Sequence, residues 1–325
     1  MNLPISKLQI IWIFNLFLKI SDKILKRFFV EIRFFLILLT RIFHIKPQYL
    51  RKNLIYMLFP EISKSITVKI TKNEAFQIYT RRDFLSYHFF WYNLKNLDLT
   101  FLDIFKIFYK LVKNSRTVID IGANTGVFSL IAGKINKTCK IYAFEPINIV
   151  YEQLINNIKL NRINNIIAEN VAISNINDEI KISIPNNYYT LPTESSLNPT
   201  FSKNNVIRKK IISIKLDSYV KKMHISEIDL IKIDIEGEEP KAFEGMISII
   251  KNQSPIIICE VLPNRTDKEL QNIFSLYNYK YFLITDQGLK QKMRIKGHHK
   301  FFNYLFYKGN IDNLRKLIAP IKILS

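Results

Sequence analysis

The sequence predicts an α/β protein built on a mostly parallel sheet with helices on both faces. Three observations predict it. From Val118 onward, short apolar runs rich in β-branched residues alternate with helical patterns, the signature of strand–helix–strand units. Thr117-Val118-Ile119-Asp120-Ile121-Gly122-Ala123-Asn124-Thr125-Gly126 reads as a buried strand, a glycine-hinged turn and the start of a helix. A second apolar run, Lys140-Ile141-Tyr142-Ala143-Phe144, ends on Glu145-Pro146, where proline stops the strand and sets the turn.

The elements follow in order. Residues 8–18 and 34–39 are apolar runs flanked by Lys and Arg. Both are too short to span a bilayer, and no small-residue cleavage site marks a signal peptide. They predict a helical N-terminal region over residues 1–62, packed on the rest or lying at a membrane surface. Pro60 and the polar residues 61–65 mark a break. Residues 63–325 form the second unit. It opens with two period-two runs, residues 66–70 and 75–79, which predict a β-hairpin. An aromatic stretch over 84–92 precedes a helix over 101–112, where Phe101, Ile104, Phe105, Phe108 and Leu111 recur at helical spacing. Seven strands are expected near 117–121, 140–144, 166–171, 229–234, 255–260, 279–284 and 301–307. Helices are expected near 126–135, 148–160, 239–251 and 266–276. Shorter runs at 179–184 and 211–216 bracket a Pro/Asn/Ser-rich loop over 185–205, long enough to read as functional.

The chemistry concentrates at the carboxyl ends of the expected strands, where such sheets bind ligands. Gly122 and Gly126 allow a sharp turn and close backbone approach. The helix that follows offers free N–H groups. Asp120 places a carboxylate beside this turn, which is not G-x-G-x-x-G. A carboxylate there disfavours a diphosphate and argues against a nicotinamide cofactor, and for a zwitterion such as S-adenosylmethionine. Glu145 stands about 25 residues on, where an acid accepts hydrogen bonds from a ribose diol. Lys232, Asp234 and Glu236 alternate along one expected strand and share a face if the strand stays regular. Three charges on one face need a rim position or partners.

These stretches resemble the FkbM-type S-adenosylmethionine-dependent methyltransferases. The matching pieces are residues 118–126, Ala143-Phe144-Glu145-Pro146, Asn170-Val171-Ala172-Ile173-Ser174, Lys215-Leu216-Asp217-Ser218-Tyr219, and Ile231 through Glu239. The resemblance covers about residues 66–285. It implies a Rossmann-like class I methyltransferase fold with a mostly parallel seven-stranded sheet, to which this chain adds its N-terminal helical extension. It implies that Asp120, Gly122, Ala123, Asn124 and Gly126 shape the donor's amino-acid pocket. Glu145 then holds the ribose, and Asn170 and Ala172 sit near the adenine. Asp234 faces the transferred methyl, with Glu236 and Lys232 nearby. Asp234 is read either as the base or as a ligand of the donor's amino group. Tyr188, Tyr189, Ser195 and Ser196 lie in the long loop, near the acceptor.

Composition bounds the partners. The chain has 325 residues, 48% of them hydrophobic, which is ample for a core. Its net charge is +21, but residues 1–60 hold ten Lys/Arg against two Asp/Glu, and residues 286–325 hold nine against two. Basic ends predict contact with something anionic. Cys139 and Cys259 lie in apolar strands with no disulfide or metal spacing, which fits a reducing, cytoplasmic setting. His88, His224, His298 and His299 form no metal pattern, so no metal is expected. The leading expectation is O-methylation of a sugar, glycan, glycolipid or secondary-metabolite hydroxyl, at the inner membrane surface. One alternative is an RNA methyltransferase, although the charge avoids the central domain and no Asn/Asp-Pro-Pro-Tyr/Phe motif is present. The other is a non-catalytic peripheral membrane protein that retains the fold. The sequence leaves the oligomeric state open.

Overall fold

A computed structural model of the chain describes residues 65–79, 97–98, 103–185 and 206–324. The expected N-terminal helices, the aromatic stretch with His88, and Tyr188, Tyr189, Ser195 and Ser196 lie outside the described residues.

The hairpin forms as expected. β1 (Ser65–Lys69) pairs antiparallel with β2 (Ala75–Tyr79), and β3 (Leu97–Asp98) adds in parallel. Next come α1 (Asp103–Val112), β4 (Thr117–Ile121), α2 (Val127–Ile135), β5 (Lys140–Phe144), α3 (Asn148–Leu160) and β6 (Ile166–Glu169). The chain then leaves the main sheet. β7 (Ala172–Ile173), β8 (Asp178–Pro185) and β9 (Val206–Ile214) make a separate sheet in the order β7-β9-β8. It returns through α4 (Leu216–Lys222), β10 (Leu230–Ile233), α5 (Glu239–Glu244), α6 (Ile247–Asn252) and β11 (Ile256–Glu260). The last elements are α7 (Asp267–Phe274), β12 (Lys280–Thr285), β13 (Gly288–Lys292), β14 (Asn303–Tyr307), α8 (Ile311–Ile318) and β15 (Ile323–Leu324).

The main sheet has nine strands in the order β15-β13-β12-β14-β11-β10-β4-β5-β6. Seven of them are the seven expected, and β13 and β15 extend one edge. The β6-to-β11 block is parallel, and β14 runs antiparallel to both β11 and β12. Alternate residues of each central strand enter opposite layers. Val118 and Ile141 join Leu130, Ile131 and Leu154 on one side; Ile119, Ile121, Tyr142 and Phe144 join Ile231, Phe243 and Ile250 on the other. The hairpin packs in the first layer through Val68, Phe76 and Ile78. Asn157 of α3 and Asn161 just past its end fix it by accepting the Tyr79 and Gln77 N–H groups at 2.9 and 2.7 Å.

Four departures from the expected elements have physical causes. The helix expected over 239–251 is two helices. A Cβ at Gly245 would lie 1.9 Å from the Ser174 carbonyl oxygen, so the chain passes that backbone too closely for a regular side chain. Asp217 then caps the new start, accepting the Ser248 and Ile249 N–H groups at 2.9 and 3.1 Å. The strand expected over 166–171 stops at Glu169, where Asn170 turns to donate to the Glu145 carbonyl at 2.8 Å. The run at 211–216 is the end of a longer β9, and Leu216 instead opens α4. Beyond the last expected strand, the basic C-terminal residues also fold, with Leu314 and Ile318 of α8 fully buried.

Candidate functional site

The strand order reverses between β4 and β10, and a crevice outside such a switch point is where open α/β sheets bind ligands. A cleft with about 630 Å³ of empty space opens there, at the carboxyl ends of β4, β5 and β10. Gly122, Asn124, Glu145, Ala172, Asp234 and Glu236 are in its wall.

The turn after β4 is shaped by left-handed backbone. Gly122, Asn124 and Gly126 have φ of 76°, 53° and 95°. The Gly122 and Ala123 N–H groups both donate to the Phe144 carbonyl at 3.0 Å, which ties the turn to β5. A Cβ on Gly122 would stand 2.1 Å from the Asp234 carbonyl oxygen, so only glycine lets the two strand ends approach.

Glu145 is the anchored acid of the cleft. It is 6% exposed and accepts N–H groups from Asn124 (3.0 Å) and Ile147 (2.9 Å). Burial pushes its carboxyl up to about 7, against those two hydrogen bonds. Beyond it, Phe144, Val171, Ile173, Ile182 and Ile211 form an apolar wall. The last two come from β8 and β9, so the separate sheet closes one end of the cleft.

Asp120 is placed differently. It is 1% exposed, does not line the cleft, and accepts the Ser129 hydroxyl at 2.6 Å. Burial raises it to about 6. Ala123, Gly126 and Asn170 also lie behind the wall rather than in it. Lys232 is 1% exposed and sits beside Asp120 in the β4–β10 ladder. Its ammonium reaches Asp234 at 3.0 Å and lies 5.1 Å from the centre of the Phe128 ring. Burial opposes the charge, but Asp234, Asp120 and Glu260 outweigh it and hold the ammonium above its ordinary value.

β10 ends at Ile233, so the regular alternation expected through Glu236 does not continue. Asp234 has a side chain 41% exposed at the rim. Glu236 has φ of 58°, and its carbonyl accepts from Arg265 at 3.1 Å. The structure therefore brings Asp234 and Glu236 to the cleft and puts Lys232 beneath Asp234.

Three acids escaped the sequence reading. Glu238 lines the cleft and pairs with Lys241 at 2.7 Å. Glu239 is fully buried, its Oε1 accepting the Ile235 and Gly237 N–H groups while Oε2 has no partner. Burial raises it to about 7. Glu260 ends β11, opposite Asn303 in the β14 ladder, and burial with neighbouring Asp234, Glu236 and Glu239 pushes it up to about 9. Glu260 Oε2 and Asn303 Oδ1 both lack a partner. The available signal was an acid closing the apolar run Ile256-Ile257-Ile258-Cys259. Among the described residues, no group of three or more His, Cys, Asp or Glu is placed to hold a metal.

The profile of the Methyltransferase FkbM domain matches residues 120–283, half of the chain. The chain belongs to the FkbM methyltransferase family. Its fold is accordingly the Rossmann-like class I methyltransferase fold, and its cofactor is S-adenosylmethionine. No curated protein matches the chain. Among solved structures it is similar to an FkbM methyltransferase from Methylobacillus flagellatus KT, at 19% identity and a TM-score of 0.39, covering 59% of this chain and 43% of that one. It thus spans under half the length of that relative. It is also similar to M. jannaschii TYW2 in complex with AdoMet (14%, 0.36, 77% and 89%) and to a Bacillus cereus O-methyltransferase in complex with SAH (11%, 0.37, 62% and 78%).

The cleft of this FkbM-family chain fits the donor on its own chemistry. An acid anchored by two backbone N–H groups suits a ribose diol. The apolar wall beside it suits a flat base. Gly122 and Asn124 line the cleft beside the Asp234 backbone, and the acids around Asp234 suit a positively charged ligand.

Proposed function

We propose that this chain is an O-methyltransferase acting on a hydroxyl of a sugar, glycan, glycolipid or secondary metabolite. The observation that carries the reading is Asp234: a half-exposed carboxylate in the cleft wall, aimed by a buried ammonium 3.0 Å away. When bound, S-adenosylmethionine supplies an electrophilic methyl group on a sulfonium. Glu145 would accept the ribose hydroxyls, and Gly122 with Asn124 would border the amino-acid end. Val171, Ala172 and Ile173, which line the cleft, would flank the base. Asp234 would take the proton that the acceptor hydroxyl loses as the S–CH3 bond breaks, the methyl passes to its oxygen and S-adenosylhomocysteine is left. Lys232 fixes the direction of that carboxylate, and Glu236 shapes the acceptor side. Correct alignment matters as much as the base, because the displacement is in line.

The same reading places the enzyme in the cytoplasm, with residues 1–62 as a basic, apolar region contacting anionic lipid at the inner membrane surface. Their charge and apolar runs support that contact. Among the described residues no helix is long and apolar enough to cross a membrane.

Transfer of labelled methyl into a panel of free and lipid-linked sugars tests the reading. Asp234→Asn is expected to slow turnover about 10²–10⁴-fold, the usual worth of a positioned base, with S-adenosylhomocysteine affinity kept. An unchanged rate in that variant would remove Asp234 from the role of base.

A further inference from the structure

The methyl-transfer cleft leaves one feature of the carboxyl edge unexplained. β12 runs parallel to β10 and β11, because β14 is antiparallel to both β11 and β12. Thr285 therefore ends β12 on the same edge as Asp234. A second groove opens there, lined by Thr285, Lys290, Lys292, His298, Lys300 and Phe301. Strands lie about 4.8 Å apart, so β12 and β13 stand roughly 14–19 Å from β10 along the sheet.

The groove is basic and has an aromatic wall. Lys290 and Lys292 are two apart on β13 and share a face; they lie opposite Leu283 and Tyr281 of β12, so the groove runs from Thr285 down the sheet face away from the carboxyl edge. Among the described residues neither has an ion pair. The one acid in the lining, Asp286, is paired with Lys300 at 3.0 Å. The Lys300 ammonium also lies 4.7 Å from the centre of the Phe301 ring. His298 stacks on that ring at 5.2 Å, and its Nδ1 accepts the Lys300 and Phe301 N–H groups at 3.1 Å. Nε2 then carries the imidazole proton and is a donor. The Lys290 and Lys292 ammonium groups and a donor imidazole suit a compact oxyanion; the Thr285 hydroxyl is already given to the Gly288 carbonyl at 2.8 Å. The groove also belongs to the chain's C-terminal excess of positive charge, which methyl transfer does not use.

We propose that this groove binds the phosphate or diphosphate group of the methyl acceptor. The acceptor is then an elongated phosphorylated small molecule, its reacting hydroxyl at Asp234 and its anionic group roughly 14–19 Å away across the strands and further in along β13. The proposal rests on the O-methyltransferase reading and narrows its substrate class. A concave site on the catalytic edge favours a phosphorylated ligand over a flat lipid surface.

Calorimetric titration of the full chain with inorganic pyrophosphate tests it, beside the double variant Lys290→Gln/Lys292→Gln. Saturable binding is expected, weakened about tenfold or more in the variant, since charge-assisted contacts to phosphate are the strong ones. Titration with S-adenosylhomocysteine is run on both proteins. Its unchanged affinity shows the variant folded, and its absence in the wild type counts against the methyltransferase reading rather than the groove. No saturable pyrophosphate binding by the wild type, or equal binding by the variant, overturns the proposal. So does loss of binding to phosphatidylcholine–phosphatidylglycerol vesicles in the variant when excess pyrophosphate fails to displace the wild type from them. That pattern would mark the groove as a lipid-facing surface.

Discussion

Gly122 is the residue on which the site depends most sharply. Its φ of 76° and the 2.1 Å approach of a Cβ to the Asp234 carbonyl leave no room for alanine. Gly122→Ala is expected to abolish S-adenosylhomocysteine binding in a calorimetric titration, because either the turn or the Asp234 backbone must move. Glu145 carries a pH signature. Its carboxyl is raised to about 7 by burial, and its ionised form is the better acceptor for ribose hydroxyls. Donor affinity is therefore expected to rise with pH through about 7, and Glu145→Gln to flatten that rise. The raised acids also set a stability trend. Asp120, Glu145, Glu239 and Glu260 stand near 6, 7, 7 and 9, above unfolded values of about 4. Between those limits the native state holds more protons than the unfolded chain, so stability falls as pH rises. Urea midpoints are expected to drop from mildly acidic to alkaline pH, and Glu260→Gln to remove the part of the drop above about pH 7. Asp120 and Glu145 were legible as site residues in the sequence and Glu239 and Glu260 were not, and the direction of none of the four side chains was. Asp120 reads as a cleft residue until Ser129 and Lys232 are seen to hold it behind the wall.

At the scale of elements, β4, β5 and α3 have the bounds expected from their apolar runs and punctuating residues. Local pattern was sufficient there because each element carries its own start and stop. The elements that were misread depend on distant contacts. α5 and α6 break at Gly245 because Ser174, about seventy residues away in sequence, passes against it. Asp217 stood in the sequence only as part of a matching motif, yet it supplies the start of α6. Asp217→Ala is expected to destabilise the fold by about 1 kcal/mol, the usual worth of a helix N-terminal cap, read as a shift in the urea midpoint. β8 and β9 were visible as two runs, but their use as a wall of the cleft through Ile182 and Ile211 required the third dimension.

For the molecule as a whole, the alternation of strands and helices was enough to give the architecture. The extra edge was not legible, because β13, α8 and β15 are short and β13 carries two lysines in five residues. Their burial comes from packing against residues far upstream. Leu314 and Ile318 join the same core layer as Val118 and Phe282. Leu314→Ala is expected to lower stability by about 2–5 kcal/mol, the range for emptying a core leucine site, as measured by chemical denaturation. A value near zero would make α8 an appendage rather than part of the core. The single measurement closest to the central claim is calorimetric titration of the full chain with S-adenosylhomocysteine, beside Glu145→Gln. The account predicts one-site binding by the wild type and affinity lower by about tenfold or more in the variant, the loss expected when a charged acceptor becomes neutral. A folded wild type that does not bind, or a variant that binds equally well, would contradict it.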